Sequence, residues 1–218
     1  MASLRSQRVD AWPTRDRILL EASRLIATRG FHGATTRDIA DGVGIKQPSM
    51  FNHFSSKQAI LEELLLFDLT IPAERAEYWS LDDNPPAIRL YRYAAWDMSW
   101  YLEMPYDLRG MHEDLVSLPG LEPFRQSLDR WKDAINRILD DGVATGEFRA
   151  DAAPFVPALL DTLSWEFVRS AHKEAATSEG KPYTTEHGAS FVLRAVLTDP
   201  MQLPAIREQA KLVDKLVA

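Results

Sequence analysis

The chain is predicted to be all-α, and three observations carry the prediction. Apolar residues recur at helical spacing, i, i+3, i+4 and i+7, along most of its length. Proline, glycine and Asp/Asn clusters punctuate those runs where helices would end. No run alternates apolar and polar residues over a convincing strand length, and neither an internal repeat nor a low-complexity tract is present.

The first element follows from Ile18, Ala22, Leu25 and Ile26, which fall at i, i+4, i+7 and i+8 and form the stripe of a helix buried on one side. Arg29-Gly30 closes it with a cation and a C-cap glycine, and Gly33 permits a further bend. Thr35 and Thr36 offer N-caps for a second helix, with Asp38 as the acidic member of a capping box on Thr35. Ile39, Ala40 and Val43 give that helix its apolar face. Gly44 can take the left-handed backbone that ends it, and Ile45 plugs the gap to the next helix. Gln47-Pro48-Ser49 opens a third helix, since a proline there forfeits only an N–H that would have had no partner. Met50 and Phe54 continue the apolar spacing, so a rod from Gln47 to Phe54 is expected. Two short helices joined by a tight turn are a helix-turn-helix, whose second helix is built to enter the major groove.

Beyond Phe54, Lys57 to about Leu81 is one long striped segment in which Pro72 should bend or end the helix. Asp83-Asn-Pro-Pro86 breaks the chain and starts a helix to about Met104. Pro105 and Ser117-Leu-Pro-Gly120 flank a short helix. A long amphipathic helix runs from Pro123 to Asp141, ended by Gly142 to Gly146. Ala153-Pro154 opens a helix to about Ala176, Ser178 to Pro182 is a loop, Thr185 to Leu197 is helical and Asp199-Pro200 stops it. Pro204 to Val217 makes a last helix of mixed charge.

The span from Arg17 to about Leu64 resembles the DNA-binding domain of the TetR family of transcriptional regulators. The residues that carry the likeness are Arg15-Asp16-Arg17-Ile18-Leu19, Gly30-Phe31, Thr35-Thr36, Ile39-Ala40, Gly44-Ile45, Phe51-Asn52-His53-Phe54 and Lys57. It covers roughly a fifth to a quarter of the chain and is specific, because many positions agree in order and spacing. Gln47-Pro48-Ser49-Met50-Phe51 is close to the family's Gln-Pro-Thr-Leu-Tyr. The departure is Phe51: the family usually has a tyrosine whose hydroxyl touches a phosphate, so weaker backbone anchoring is expected at that spot. The resemblance implies a three-helix helix-turn-helix domain at 12–58 and a larger helical effector-binding and dimerisation domain at 59–218.

Composition agrees. The 218 residues are 45% hydrophobic and 26% charged, within the soluble globular range, and no apolar run reaches the roughly 18 residues of a membrane span. The start lacks an apolar signal core, and the absence of cysteine excludes disulfides and thiolate metal sites while fitting a reducing cytoplasm. The net charge of −7 looks wrong for a DNA binder until it is divided. Residues 1–58 hold nine Lys or Arg against five Asp or Glu, and the remainder holds sixteen against twenty-seven. The basic part can meet phosphates while the acidic part faces away and discourages non-specific binding.

Candidate DNA contacts are therefore Thr36, Arg37, Lys46, Gln47, Pro48, Ser49, Phe51, Asn52, His53 and Lys57. The Gln47 amide suits adenine N6 and N7, and the Thr36 and Ser49 hydroxyls suit phosphate oxygens. Arg37 can reach a guanine or a phosphate. Met50 and Phe54 are expected in the core. Because one small helix-turn-helix has a small footprint, a homodimer is expected, and the resemblance assigns its interface to the helices at about 154–176 and 185–198. Phe155, Leu159, Leu160, Leu163, Trp165, Phe167 and Val168 are too many for one stripe, so one face can serve the core and another a partner; Phe191, Val192, Ala195 and Val196 would face that partner from the second helix. A small-molecule effector site is expected among Tyr93, Trp96, Asp97, Trp100, Tyr101 and Met104, with Met111, Trp131 and Trp165 approaching from other segments. The alternative is that these aromatics fill the space between long helices.

Catalysis is not expected, and no catalytic residue, metal site or cofactor is assigned. There is no phosphate loop, nucleophile elbow or His-Glu-x-x-His pair, and His112-Glu113-Asp114 would point in different directions on a helix. The function expected is a cytoplasmic, ligand-responsive regulator that binds double-stranded operator DNA. It is expected to be a repressor released by a small, largely hydrophobic molecule. Other readings are a regulator whose second domain binds a protein, or an all-α enzyme or carrier with an idle DNA-binding head.

Overall fold

A computed structural model describes residues 9–108, 120–174 and 184–217. Among them are nine α-helices and no strand beyond one isolated bridge between Phe148 and Leu197. The chain folds as two compact units, residues 1–70 with 103–127 and residues 71–102 with 128–218.

In the first unit, α1 (Thr14–Gly33) buries Ile18, Ala22, Leu25 and Ile26, the stripe read from the sequence. The expected end at Gly30 is present as a break: Gly30 has φ 70°, outside the helical range, although helical bonding resumes to Gly33. The second helix, α2 (Thr36–Val43), is capped as predicted, with the Thr35 hydroxyl accepting from the Asp38 N–H at 3.1 Å. The same hydroxyl donates to the Asp38 carboxylate at 2.7 Å, a tighter closure than the expected box, in which the carboxylate reaches a backbone N–H. Gly44 ends α2 with φ 77°, a conformation that a Cβ would strain, and the Ile45 N–H returns to the Ala40 carbonyl at 3.0 Å. The third helix, α3 (Gln47–Met50), has Lys46 at its N-cap and Pro48 in its first turn.

The rod expected to reach Phe54 is shorter. Regular α-helix stops at Met50, and residues 51–53 tighten into turns in which the Asn52 and His53 N–H groups reach back three residues to Ser49 and Met50. The cause is visible in Phe54, which is buried and pulls the chain inward. The long helix α4 (Lys57–Ser80) starts with the Ser56 hydroxyl accepting from the Ala59 N–H. Its Ile60, Leu61, Leu64 and Leu65 join Ile18, Ile26, Ile39 and Met50 as the fully buried core of this unit.

Pro72 was expected to bend or end this helix; it does not end it, and the helix continues to Ser80. Leu69, Ala73 and Ala76 are buried on either side of it, and that packing offsets the lost backbone bond.

The second unit contains the end of α4, α5 (Pro86–Glu103), the larger part of α6 (Glu122–Ala144), α7 (Val156–Glu174), α8 (Thr185–Val196) and α9 (Leu203–Val217). These bounds match the sequence reading to within a few residues. The short helix expected between Pro105 and Ser117 and the loop at 178–182 lie outside the described residues. Ion pairs tie the helices together: Arg89 bonds the Ser80 carbonyl at 2.9 Å and the Asp141 carboxylate at 2.8 Å, and Arg130 forks onto Glu77 at 2.8 and 2.7 Å. No helix among the described residues is long and apolar enough to cross a membrane.

Candidate functional site

The candidate reading edge lies wholly in the first unit and is built on a fixed floor. Met50 and Phe54 are buried beneath it, as the apolar spacing predicted. Above them Arg37, Lys46, Pro48, Ser49, Phe51, Asn52 and His53 are exposed, and Thr36 and Gln47 are half-buried. Phe51 is 45% exposed, a large apolar side chain left partly in solvent. The Gln47 amide donates to the Thr36 hydroxyl at 2.8 Å. This bond holds the side chain before any ligand arrives, yet leaves Oε1 and one amide N–H for a base edge. Arg37 stands 3.9 Å from Asp41 and is otherwise open to solvent.

Lys57 is placed differently. Its ammonium donates to the carbonyls of Phe31 and Ala34 at 2.6 and 2.8 Å and lies 4.2 Å from the Phe31 ring centroid. Desolvation lowers its pKa. It holds the turn between α1 and α2 and keeps one N–H for anything outside.

Two cations outside the candidate DNA contacts do comparable work. Arg15 donates to the His53 carbonyl at 2.5 Å, pairs with Glu63 and covers the Phe54 ring at 4.1 Å. Arg17 donates to the Val43 carbonyl at 2.5 Å and so satisfies the end of α2. Their backbone partners lie 38 and 26 residues away, so no local pattern announces them. Asp38 is held below the usual carboxylate range by the Thr35 hydroxyl first and by the charges of Arg29 and Arg37 after it.

The aromatic set is divided. Tyr93, Asp97 and Trp131 are buried in the second unit as one hydrogen-bonded chain. The Trp131 indole N–H donates to the Tyr93 hydroxyl at 2.5 Å, Tyr93 donates to Asp97 at 2.9 Å, and the Ser164 hydroxyl donates to the other Asp97 oxygen at 2.7 Å. Trp96 and Trp100 stack at 5.7 Å and are half-exposed, and Trp79, which the sequence reading did not select, lies 5.8 Å from Trp96. Tyr101 is buried and Trp165 is half-buried. Met104 belongs to the first unit and is buried there. Met111 and the His112-Glu113-Asp114 triplet lie outside the described residues.

A cleft of about 360 Å³ does open in the second unit, and of the selected aromatics only Trp96 lines it. Its other walls come from Trp79 on α4, Arg92 on α5, Thr185 and Glu186 on α8, and Lys211 on α9.

On α7, Leu160, Ser164 and Phe167 point into the unit, while Leu159 and Leu163 are half-exposed, and Phe155, in the 3-10 turn just before the helix, is 72% exposed. This is the two-faced pattern the composition of that segment suggested. On α8, Phe191 is 57% exposed, but Val192 and Val196 are fully buried within the protomer; an outward face there rests on Phe191 with Ala195.

Comparison with known proteins places this geometry among regulators. The family model described as "Bacterial regulatory proteins, tetR family" matches residues 18–64. The HTH-type transcriptional repressor KstR2 of Mycolicibacterium smegmatis is 28% identical over 176 residues, which cover 71% of this chain and 78% of that protein. KstR2 of Rhodococcus jostii is 30% identical over 142 residues, 63% of this chain and 69% of the relative. Among solved structures, AmtR of Mycobacterium smegmatis superposes with a TM-score of 0.73 at 25% identity, covering 90% of this chain and 93% of that one. The ketosteroid transcriptional regulator KstR2 of Mycobacterium tuberculosis gives 0.64 at 24% identity, over 86% and 96%.

Proposed function

This chain belongs to the TetR family of transcriptional regulators, and from that premise we propose a cytoplasmic homodimeric repressor that leaves its operator when a small, largely hydrophobic molecule binds its second domain. Binding DNA as a regulator is the family's work; repression, the dimer and the ligand response are our reading. The observation that carries it is the exposed polar edge from Thr36 to His53 over the buried Met50 and Phe54, with Gln47 already held by Thr36. Arg37, Lys46, Ser49 and Asn52 would meet phosphates and neighbouring bases, and Phe51 would offer apolar contact such as a thymine methyl. Lys57 would act chiefly by holding the α1–α2 turn.

The outward faces of α7 and α8, with Phe191 and, just before α7, Phe155 in solvent, support pairing with a second copy. Pairing would set two reading edges about 34–36 Å apart on the duplex. Effector binding would act through α4, whose residues 57–70 lie in one unit and 71–80 in the other. Thorough release requires the ligand to prefer one state by about 5 kcal/mol.

The test is a gel shift on the DNA upstream of the chain's own gene, with a shuffled sequence as control, over a salt series. A salt-sensitive complex specific to that DNA is expected, with one dimer per site by analytical ultracentrifugation. No specific complex on that DNA or in a genomic selection refutes the reading.

A further inference from the structure

We propose that the cleft between α5, α8, α9 and the end of α4 binds an organic anion with a flat apolar body and a single carboxylate, held by Arg92. The inference deepens the ligand-responsive reading and rests on it.

The argument starts from a buried charge. Arg92 is only 6% exposed, and its guanidinium meets nothing but one neutral acceptor: Nε and Nη2 both donate to the Ala210 carbonyl, at 3.2 and 3.1 Å. No carboxylate pairs with it among the described residues. Arg89, one turn earlier on the same helix and equally buried, is matched by Asp141 at 2.8 Å. Burying a guanidinium without a counter-ion is costly. Here the unmatched cation lines an open cleft, and its end-on pair of N–H groups, on Nη1 and Nη2, remains for a planar bidentate acceptor.

The rest of the cleft fits such a ligand. Trp79 and Trp96 both line the cleft, their ring centres 5.8 Å apart and their planes tilted by 59°, so that a flat apolar body would rest on one ring and meet the other at an angle. Lys211 also lines the cleft, 3.5 Å from Glu208. Glu186 also lines the cleft, but Arg207 holds its carboxylate at 2.5 Å and Lys211 approaches it at 3.8 Å, so its charge is already answered. Arg92 is thus the charge of this lining that has no carboxylate partner among the described residues, and the volume of about 360 Å³ lies at the small end for ligand sites.

The experiment titrates the full-length protein with 4-biphenylcarboxylate and with its neutral isostere 4-biphenylcarboxamide, reading tryptophan fluorescence and calorimetric heat. The carboxylate should quench saturably and bind about tenfold or more tightly than the amide. Arg92→Met should remove that preference while leaving apolar binding to the tryptophans, and Lys211→Gln should reduce it a few-fold. Because Arg92→Met can compromise folding, Ala95→Trp, which fills the cleft from its wall, serves as a second variant and should abolish carboxylate binding. Equal binding of acid and amide to the wild-type protein, no binding of the acid, or an acid preference that survives in a folded Arg92→Met overturns the proposal. The operator gel shift is run in parallel. Specific DNA binding without the acid preference rejects the ligand class alone, and the converse rejects the regulator reading alone.

Discussion

Between Thr36 and His53 the polar side chains stand in or near solvent over an apolar floor, whereas between Tyr91 and Tyr101 hydroxyl, carboxylate and guanidinium are turned inward. The first arrangement is written by neighbours: a threonine cap, a left-handed glycine and a proline in the first turn, all within a few residues of the groups they position. The second is assembled from distant parts, since Trp131 reaches Tyr93 across 38 residues and Ser164 reaches Asp97 across 67. A surface polar group should therefore matter to recognition and little to stability. A buried one should show the reverse.

The sharpest test of that contrast is Asp97→Ala, which takes from the Tyr93 and Ser164 hydroxyls the buried carboxylate to which both donate. A loss of about 3 kcal/mol is expected, read as a fall of about 6–12 °C in thermal midpoint for a chain of this size. A change below about 1 kcal/mol would mean that the network contributes little and the contrast is false. Gln47→Ala should do the opposite. It should cost about 1–3 kcal/mol at one base position in a competition assay against point-substituted operators and leave the melting temperature alone. Equal weakening on matched and random DNA would remove Gln47 from base reading.

Lys57→Met sits between the two. It keeps the stem against Phe31 but loses both carbonyl bonds, and part-exposure discounts the effect to about 1 kcal/mol of unfolding free energy in urea. Weaker DNA binding with unchanged stability would return Lys57 to the phosphate contacts.

Smaller effects refine the reading edge. Phe51→Tyr should tighten all operator sequences alike by about 0.5–1 kcal/mol if the ring faces a phosphate, measured by fluorescence anisotropy. Smallest is the acid limb of stability. The pKa of Asp38 is lowered by Thr35, so its contribution is complete above the ordinary carboxylate value of 3.8 and fades as pH falls through the lowered one. Asp38→Asn should flatten that limb slightly in acid titrations followed by circular dichroism; an unchanged profile would assign the capping energy to the Thr35 hydroxyl alone.

The helix-turn-helix could be read from the chain because each of its signals is local. The stripe from Ile18 to Ile26, the Thr35 cap, the Gly44 turn and Pro48 at the start of α3 all act within one or two helical turns. Two local readings gave way to packing. Pro72 does not end the helix, because buried residues on both sides outweigh one missing hydrogen bond, and burial of Phe54 tightened the expected rod after Met50. The aromatic run from Tyr91 to Tyr106 was conspicuous in composition, but spacing alone could not sort Tyr93, which is buried, from Trp96, which lines the cleft.

Arg92 gives the limit of what composition conveys. In the sequence it is one of two arginines three residues apart, indistinguishable from Arg89. The amino-acid order alone determined the helices, their caps and the exposed polar edge above Met50 and Phe54, because hydrogen bonding and apolar periodicity act over short stretches of chain. Only tertiary structure decided which arginine meets a carboxylate and which opens onto a cleft, because Asp141 and Ala210 lie 52 and 118 residues away from the guanidinium each one meets.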